Sequence, residues 1–564
     1  MDSEDPVSDL TRRLRENYDP EVGHEVDQSP ATLVSLLQES AAKWPDRVAT
    51  DFMGATLTYS ELEEQSRKAA SAMANMGVTA GDRVSLILPN CPQFICGFFG
   101  ALALGAIAVA HNPLAPASEL HTEIERVDSK LILAWQKTVS KVASLSVPVL
   151  SVDLVAALPA KLRLALKLPI PKARKMRAQL CEKVPASIPS FDKLAKKATP
   201  LSTPAAIDPD DTVAMLHTGG TTGSPKSVML SNTNLVSNSR AAAQWVTPLL
   251  SPHETIYAVL PFFHAFGMTL VMLSGFLVGA TQVVFPKFDE SLCLDAMKRR
   301  PCTFMIGVPP MFSRLLKAAQ KAGIALDSIN YTISGAMPLK KKDAQAWASA
   351  TNAPVIEGYG MTETSPIVTG SPLSSTRVGT LGLPFPSIQV RLVSLEDPTK
   401  DVDDEAGEPG ELIVKGPGCS AGYWNNPEES KNLYTTEGWL RTGDIAINDD
   451  GYLALADRRK ELILCGGFNV YPSAVENAIR KLDEVEDVAV VGMPDEDRGE
   501  VVTAAIVPAQ GRTPTLAKIR EQIIEDLPRY ALPRQMFLVD KLATSDLGKV
   551  VRRRVRDELL QRQR

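Results

Sequence analysis

The chain has 564 residues, 44% apolar and 22% charged, with a formal net charge of −6. That length exceeds one hydrophobic core and predicts two or more domains, while the mild acidity gives no reason to expect a nucleic-acid partner. Seven dispersed cysteines without a CxxC pair read as reduced thiols, neither a disulfide framework nor a zinc site.

In chain order, residues 1–30 are polar and acidic (MDSEDP at the start), which predicts a loosely held arm and no secretory signal. Amphipathic stretches then alternate with short β-branched runs. Helices are predicted at Ala31–Trp44 and Cys91–Leu104, and strands at Arg83–Leu88 and Ala106–Ala110. Such alternation predicts parallel sheets flanked by helices. The uncharged runs Phe94–Ala110 and Phe262–Phe285 approach membrane-spanning length, but each divides into a helix and a strand, so both read as buried core. Leu154–Gln179 holds seven bases (Lys161, Arg163, Lys167, Lys172, Arg174, Lys175, Arg177) and no acid. It predicts a basic amphipathic helix pair broken at Pro169–Pro171, suited either to solvent or to an anionic membrane surface.

Next comes HTGGTTGSPKSV, His217–Val228, between the predicted strands Val213–Leu216 and Ser227–Leu230. Gly219, Gly220 and Gly223 let backbone N–H groups turn inward. Thr218, Thr221, Thr222 and Ser224 add donors, and Lys226 adds charge, a combination suited to a polyphosphate. It is not a Walker A loop, because Pro225 stands where glycine must precede the lysine. After Glu411 the texture changes to short strands and turns. After Asp457 a smaller α/β unit follows, with helices near Ser473–Leu482 and Thr515–Leu527 and strands at Val488–Val491 and Thr503–Val507.

Five further blocks accompany the loop: PFFHAFG (Pro261–Gly267), TISGAMPL (Thr332–Leu339), EGYGMTET (Glu357–Thr364), GWLRTGD (Gly438–Asp444) with DRRKELILCGGFNVYPSAVE (Asp457–Glu476), and SDLGKVVRR (Ser545–Arg553). Together they resemble the adenylate-forming superfamily, and most of all bacterial fatty acid–CoA ligases. The resemblance implies an α/β fold with a large N-terminal domain of flanked β-sheets, a β-rich subdomain and a small mobile C-terminal α+β domain. It places the arm at 1–30, the adenylating domain at 31–457 and the small domain at 458–564, with a hinge near Lys460.

It also implies ATP, Mg²⁺ and CoA as cofactors and a fatty acid as substrate. Thr218 to Lys226 would wrap the β- and γ-phosphates. Gly335, Ala336 and Met337 would pass alongside the adenine, with Tyr359 on its face within the Glu357, Gly358, Gly360 segment. Thr362 would bond the α-phosphate and Glu363 would hold Mg²⁺. Asp444 would accept the ribose hydroxyls and Arg458 would reach the ribose. Lys549 would bridge the acyl carboxylate and the α-phosphate, and Gly466 and Gly467 would line the pantetheine path. His264 would gate the acyl carboxylate, the other reading being a satisfied core histidine. The six histidines show no paired spacing typical of metal ligands.

Amino-acid substrates are disfavoured, because FFHAFG offers no acid to pair an ammonium group. Leu464 stands where luciferase-like and coumarate-ligase-like relatives carry a lysine, which predicts distance from those groups. Phe262, Phe263, Phe266, Met268 and Val308 suit an alkyl chain first and an aryl acid second. An acyl-AMP ligase serving a carrier protein, and a non-catalytic acyl-binding protein, are the alternatives. The expected location is cytoplasmic, with peripheral membrane contact through 154–179 as an extension of that reading.

Overall fold

The computed structural model describes residues 7–218, 226–246, 253–351, 353–465, 468–495, 499–545 and 548–563. Contacts divide the chain into two compact units. The larger comprises Arg15–Gln389 and Lys415–Tyr434, the smaller Met1–Leu14, Val390–Val414 and Thr435–Arg564.

The larger unit holds two sheets among the described residues. One runs Val149–Val152, Ser129–Trp135, Arg83–Ile87, Ile107–Ala110, Thr212–Thr218, Lys226–Ser231, parallel until the final antiparallel pair. The other is nine-stranded, with parallel strands such as Phe304–Gly307 and Tyr331–Ser334 at its centre. Parallel strands need crossovers, and the alternating sequence supplies them. Helix Pro92–Ala103 starts on a proline whose missing N–H costs nothing there, and the chain returns as strand Ile107–Ala110. Helix Pro309–Ala322 turns Phe312, Leu315 and Ala319 inward at helical spacing and stops at Gly323, whose φ of 64° suits glycine. The two uncharged runs are therefore core, and no helix among the described residues is long and apolar enough to cross a membrane.

The second of these runs contains an unusual element. Phe266–Leu273 winds as a π-helix, closed where Ser274 donates its N–H and its hydroxyl (2.9 Å) to the Thr269 carbonyl. Such wide turns are rare and concentrate at functional sites.

In the smaller unit, an antiparallel sheet (Gln389–Val393, Gly410–Lys415, Leu440–Asp449, Tyr452–Arg458) is grouped with the C-terminal elements. The C-terminal sheet pairs Val485–Asp495 with Gly499–Pro508, both longer than their sequence patterns predict because the hairpin extends beyond the apolar centre. Helices Pro472–Arg480 and Leu516–Ile523 cover it.

The N-terminal arm corrects an expectation. From residue 7 onward it is not loosely held. Helix Asp9–Arg15 buries Leu10 and Leu14, and the Thr11 hydroxyl accepts the Val390 N–H at 2.8 Å. Farther on, Asp19 accepts the Leu373 N–H at 2.8 Å. A few apolar residues at helical spacing sufficed to anchor a segment whose average composition is polar. The basic segment forms Leu154–Ala157, Ala160–Ala165 and Pro171–Leu180, broken where the prolines predict.

Candidate active site

The strands flanking the glycine-rich loop form an antiparallel hairpin, with Thr218 opposite Lys226. Gly219, Gly220, Thr221, Thr222 and Gly223 lie outside the described residues. Segment Lys415–Tyr434 returns from far along the chain to dock beside this hairpin. The Trp424 N–H donates to the Ser227 carbonyl at 2.8 Å and the Met229 N–H to the Gly422 carbonyl at 2.9 Å.

That docking brings Tyr423 under Lys226, whose ammonium sits 4.7 Å from the ring centre while pairing with the Glu429 carboxylate. The Tyr423 hydroxyl donates to Glu363 Oε1 at 2.8 Å. Burial and the Glu363 charge hold the phenol protonated far above its usual range. Lys226, Tyr423 and Glu363 thus form one continuous, largely buried chain. The turn carrying Glu363, Thr362–Thr364, is itself fixed. Asn238 donates to the carbonyls of Thr364 (3.1 Å) and Ile367 (3.0 Å), and the Thr364 hydroxyl donates to the Pro366 carbonyl at 2.7 Å.

Strand Val355–Gly360 carries Glu357, Gly358, Tyr359 and Gly360 towards that turn. Glu357 accepts backbone N–H groups from Leu339 (3.2 Å) and Gly379 (2.6 Å), and burial raises its pKa. It is a tie between segments. At Gly360 a Cβ would lie 1.7 Å from the Pro366 carbonyl oxygen, so only glycine fits. At Gly335 it would meet the Phe266 ring at 2.9 Å, which locks the Gly335–Ala336 turn against the π-helix. Ala336 adopts φ 65°, uncommon for a residue with a side chain, and Met337 follows it. His264 precedes the π-helix with its ring 4.8 Å from that of Phe263. Phe262 and Met268 are fully buried and Val308 nearly so. A separate cavity of about 470 Å³ is lined by Gln93, Cys96, Arg163, Phe191 and Lys196 and by none of these motif residues.

The smaller unit holds the remaining residues. Asp444 and Arg458 are paired across adjacent antiparallel strands, and the Thr442 hydroxyl accepts the Asp444 N–H at 3.1 Å. Only the backbone of Arg458 and Lys460 belongs to the described structure, and Gly466 and Gly467 lie outside it. Lys549 follows Gly548 (φ 82°) in a turn closed by Ser545, whose N–H donates to the Lys549 carbonyl at 2.7 Å. Sequence reading missed the neighbouring Arg552. It donates to Glu476 twice at 2.8 Å, to Asp457 at 3.3 Å, to Ser473 at 2.7 Å and to Glu461. Those carboxylates raise its pKa further against burial.

With this geometry in view, the relatives can be placed. The family described as AMP-binding enzyme matches residues 37–424, and its C-terminal domain matches residues 474–549. The chain belongs to the AMP-binding enzymes. It is an adenylate-forming ligase. The long-chain-fatty-acid–CoA ligase of Bacillus subtilis is 31% identical over 548 residues, covering 96% of this chain and 97% of its own length. The 4-coumarate–CoA ligase 3 of Oryza sativa is 31% identical over 521 residues, covering 90% and 88%. ATP-bound MatB from Rhodopseudomonas palustris matches with a TM-score of 0.80 at 27% identity, over 93% of this chain and 98% of that one. Both ligase types are thus 31% identical to this chain, the fatty-acid ligase over the longer match.

Proposed function

We propose that this AMP-binding enzyme is an ATP-dependent fatty acid–CoA ligase. The acyl carboxylate attacks the α-phosphorus of ATP and expels pyrophosphate; the CoA thiol then attacks the acyl-adenylate carbonyl and AMP leaves. Both first-step reactants are anionic, so charge neutralisation and alignment carry the chemistry, with no covalent nucleophile from the protein. The observation that carries this reading is the Lys226–Tyr423–Glu363 chain at the foot of the glycine-rich loop. It sets a cation for phosphate beside a carboxylate whose oxygens, with those of ATP, make an all-oxygen donor set fitting Mg²⁺. Mg²⁺ held there would neutralise phosphate charge. Lys226 and Thr218 bind the terminal phosphates, Thr362 the α-phosphate, Asp444 and Arg458 the ribose. Lys549 aligns the acyl carboxylate, and rotation about Lys460 exchanges that face for the Gly466–Gly467 face in the second step.

Fatty acids are favoured by the apolar, acid-free run around Phe262–Met268 and by the bacterial relatives, and the 4-coumarate relatives favour an aryl acid as the second reading. Coupled AMP release, measured with acids from short to long chain and with 4-coumarate, tests this. The expected result is CoA-dependent turnover highest on a fatty acid. Highest turnover on the aryl acid, or transfer to a carrier protein without CoA turnover, would overturn it.

The same reading extends to the basic segment. Leu164, Leu168 and Ile170 are exposed among its bases, so the segment offers apolar anchors and positive charge together. Replacing its seven bases by Gln should reduce liposome cosedimentation at low salt and leave turnover of a soluble acid unchanged. Unaltered liposome binding would refute the contact.

A further inference from the structure

Two histidines and a glutamate distant in sequence meet inside the larger unit. His111 directly follows strand Ile107–Ala110, His217 lies in strand Thr212–Thr218, and Glu123 lies in helix Ala117–Arg126. The two strands are hydrogen-bonded neighbours with Ala110 opposite Leu216, so the histidines come next, side by side. Their ring centres are 4.6 Å apart. Glu123 Oε2 lies 2.8 Å from His111 Nδ1 and 3.8 Å from His217 Nε2, and the three side chains are 5%, 0% and 8% exposed.

The outer nitrogen of each ring is engaged by a hydroxyl. Ser85 Oγ meets His111 Nε2 at 2.8 Å, and Ser227 Oγ meets His217 Nδ1 at 3.1 Å. The inner nitrogens are thereby turned towards one carboxylate, the arrangement in which outer partners orient metal-binding imidazoles. His217 Nε2 is buried without a hydrogen-bond partner, since 3.8 Å is too long for one. An orphaned buried nitrogen of this kind pays its desolvation without a compensating bond.

We propose that His111 Nδ1, Glu123 and His217 Nε2 bind one Zn²⁺-class transition-metal ion, with water in the fourth position. The three ligand atoms lie within 4.8 Å of one another. Tetrahedral Zn²⁺, with bonds of about 2.0–2.2 Å, sets ligand atoms roughly 3.3 Å apart. The two distances to Glu123, 2.8 and 3.8 Å, bracket that spacing, and the two imidazole nitrogens, within 4.8 Å of each other, close on the ion by side-chain rotation. Two imidazoles exclude the hard cations Mg²⁺ and Ca²⁺. Arg126 is close enough to perturb both Glu123 and His217, and its charge opposes a cation. The ion would pin the root of the glycine-rich loop, since Thr218 follows His217.

The test uses the full chain without nucleotide, stripped by chelator and titrated with Zn²⁺ against a chromophoric chelator. One equivalent should bind, and His217→Phe and Glu123→Gln should each weaken binding by more than tenfold. Ser227→Ala, which removes only the orienting hydroxyl, should weaken it by roughly 10–100-fold. Co²⁺ bound to the wild-type protein should show the visible absorption of a four-coordinate ion, a readout that stands even where a variant fails to fold. No stoichiometric binding by the wild type, or equal affinity in His217→Phe and Glu123→Gln, would overturn the proposal.

Discussion

Among the described residues, Lys226 meets one carboxylate, that of Glu429, whereas Arg552 meets three, those of Asp457, Glu461 and Glu476. The Glu429 side chain is 37% exposed, so its pair with Lys226 is wet and exchangeable. Asp457 and Glu476 are fully or nearly buried, and Arg552 is their shared counter-ion. Lys226, proposed to meet phosphate, keeps a partner it can leave, whereas Arg552 is saturated. Arg552 also grips Asp457 and Glu461, which flank the proposed hinge at Lys460, so its saturation bears on motion as well as stability.

This contrast can be broken experimentally. Arg552→Met leaves three carboxylates without their shared cation, and should cost about 3–5 kcal/mol in denaturant unfolding. A loss below about 1 kcal/mol would place Arg552 in the exchangeable class. Lys549 belongs to the same block as Arg552 yet is proposed to meet substrate. Lys549→Ala should slow pyrophosphate release by about 10²–10³-fold, the scale of a lost charge-stabilising group. Thioester formation from preformed acyl-adenylate should persist, and equal loss of both steps would make Lys549 structural. Tyr423→Phe keeps the ring under Lys226 and removes the hydroxyl from Glu363. It should cost about 1 kcal/mol, several-fold in kcat/KM for ATP, with little change in Tm. Smallest is Glu429→Gln, which releases Lys226 from a half-wet pair worth about 0.2–1 kcal/mol. The KM for ATP should fall by a few-fold; a rise would show that Glu429 positions the lysine for phosphate.

Local pattern made much of the fold legible. The strands around the loop, helix Pro92–Ala103 and its following strand, and the helix–strand division of the uncharged runs all follow from periodicity and punctuation. What escaped was non-local. Tyr423 and Glu429 reach Lys226 only because a distant segment docks on the hairpin, and Arg552 collects acids from three elements. The absence of paired histidine spacing likewise gave no hint of His111 and His217, which neighbouring parallel strands bring together. Leu10 and Leu14 show the reverse failure, in which a polar average hid a short apolar face.

The π-helix at Phe266–Leu273 has a consequence for redesigning the proposed acyl site. A π-turn carries one residue more than the α-turn it replaces, and each α-helical residue spans about 100°. Deleting one residue there would let the helix rewind and would swing Phe266 away from Gly335, taking His264 and Phe263 with it. Phe266 and the Gly335–Ala336 turn are thus keyed together by a length rather than by any one side chain. Enlarging or trimming Phe263 or Met268, proposed to meet the acyl group, acts within that key, whereas an indel in the segment acts on the key itself.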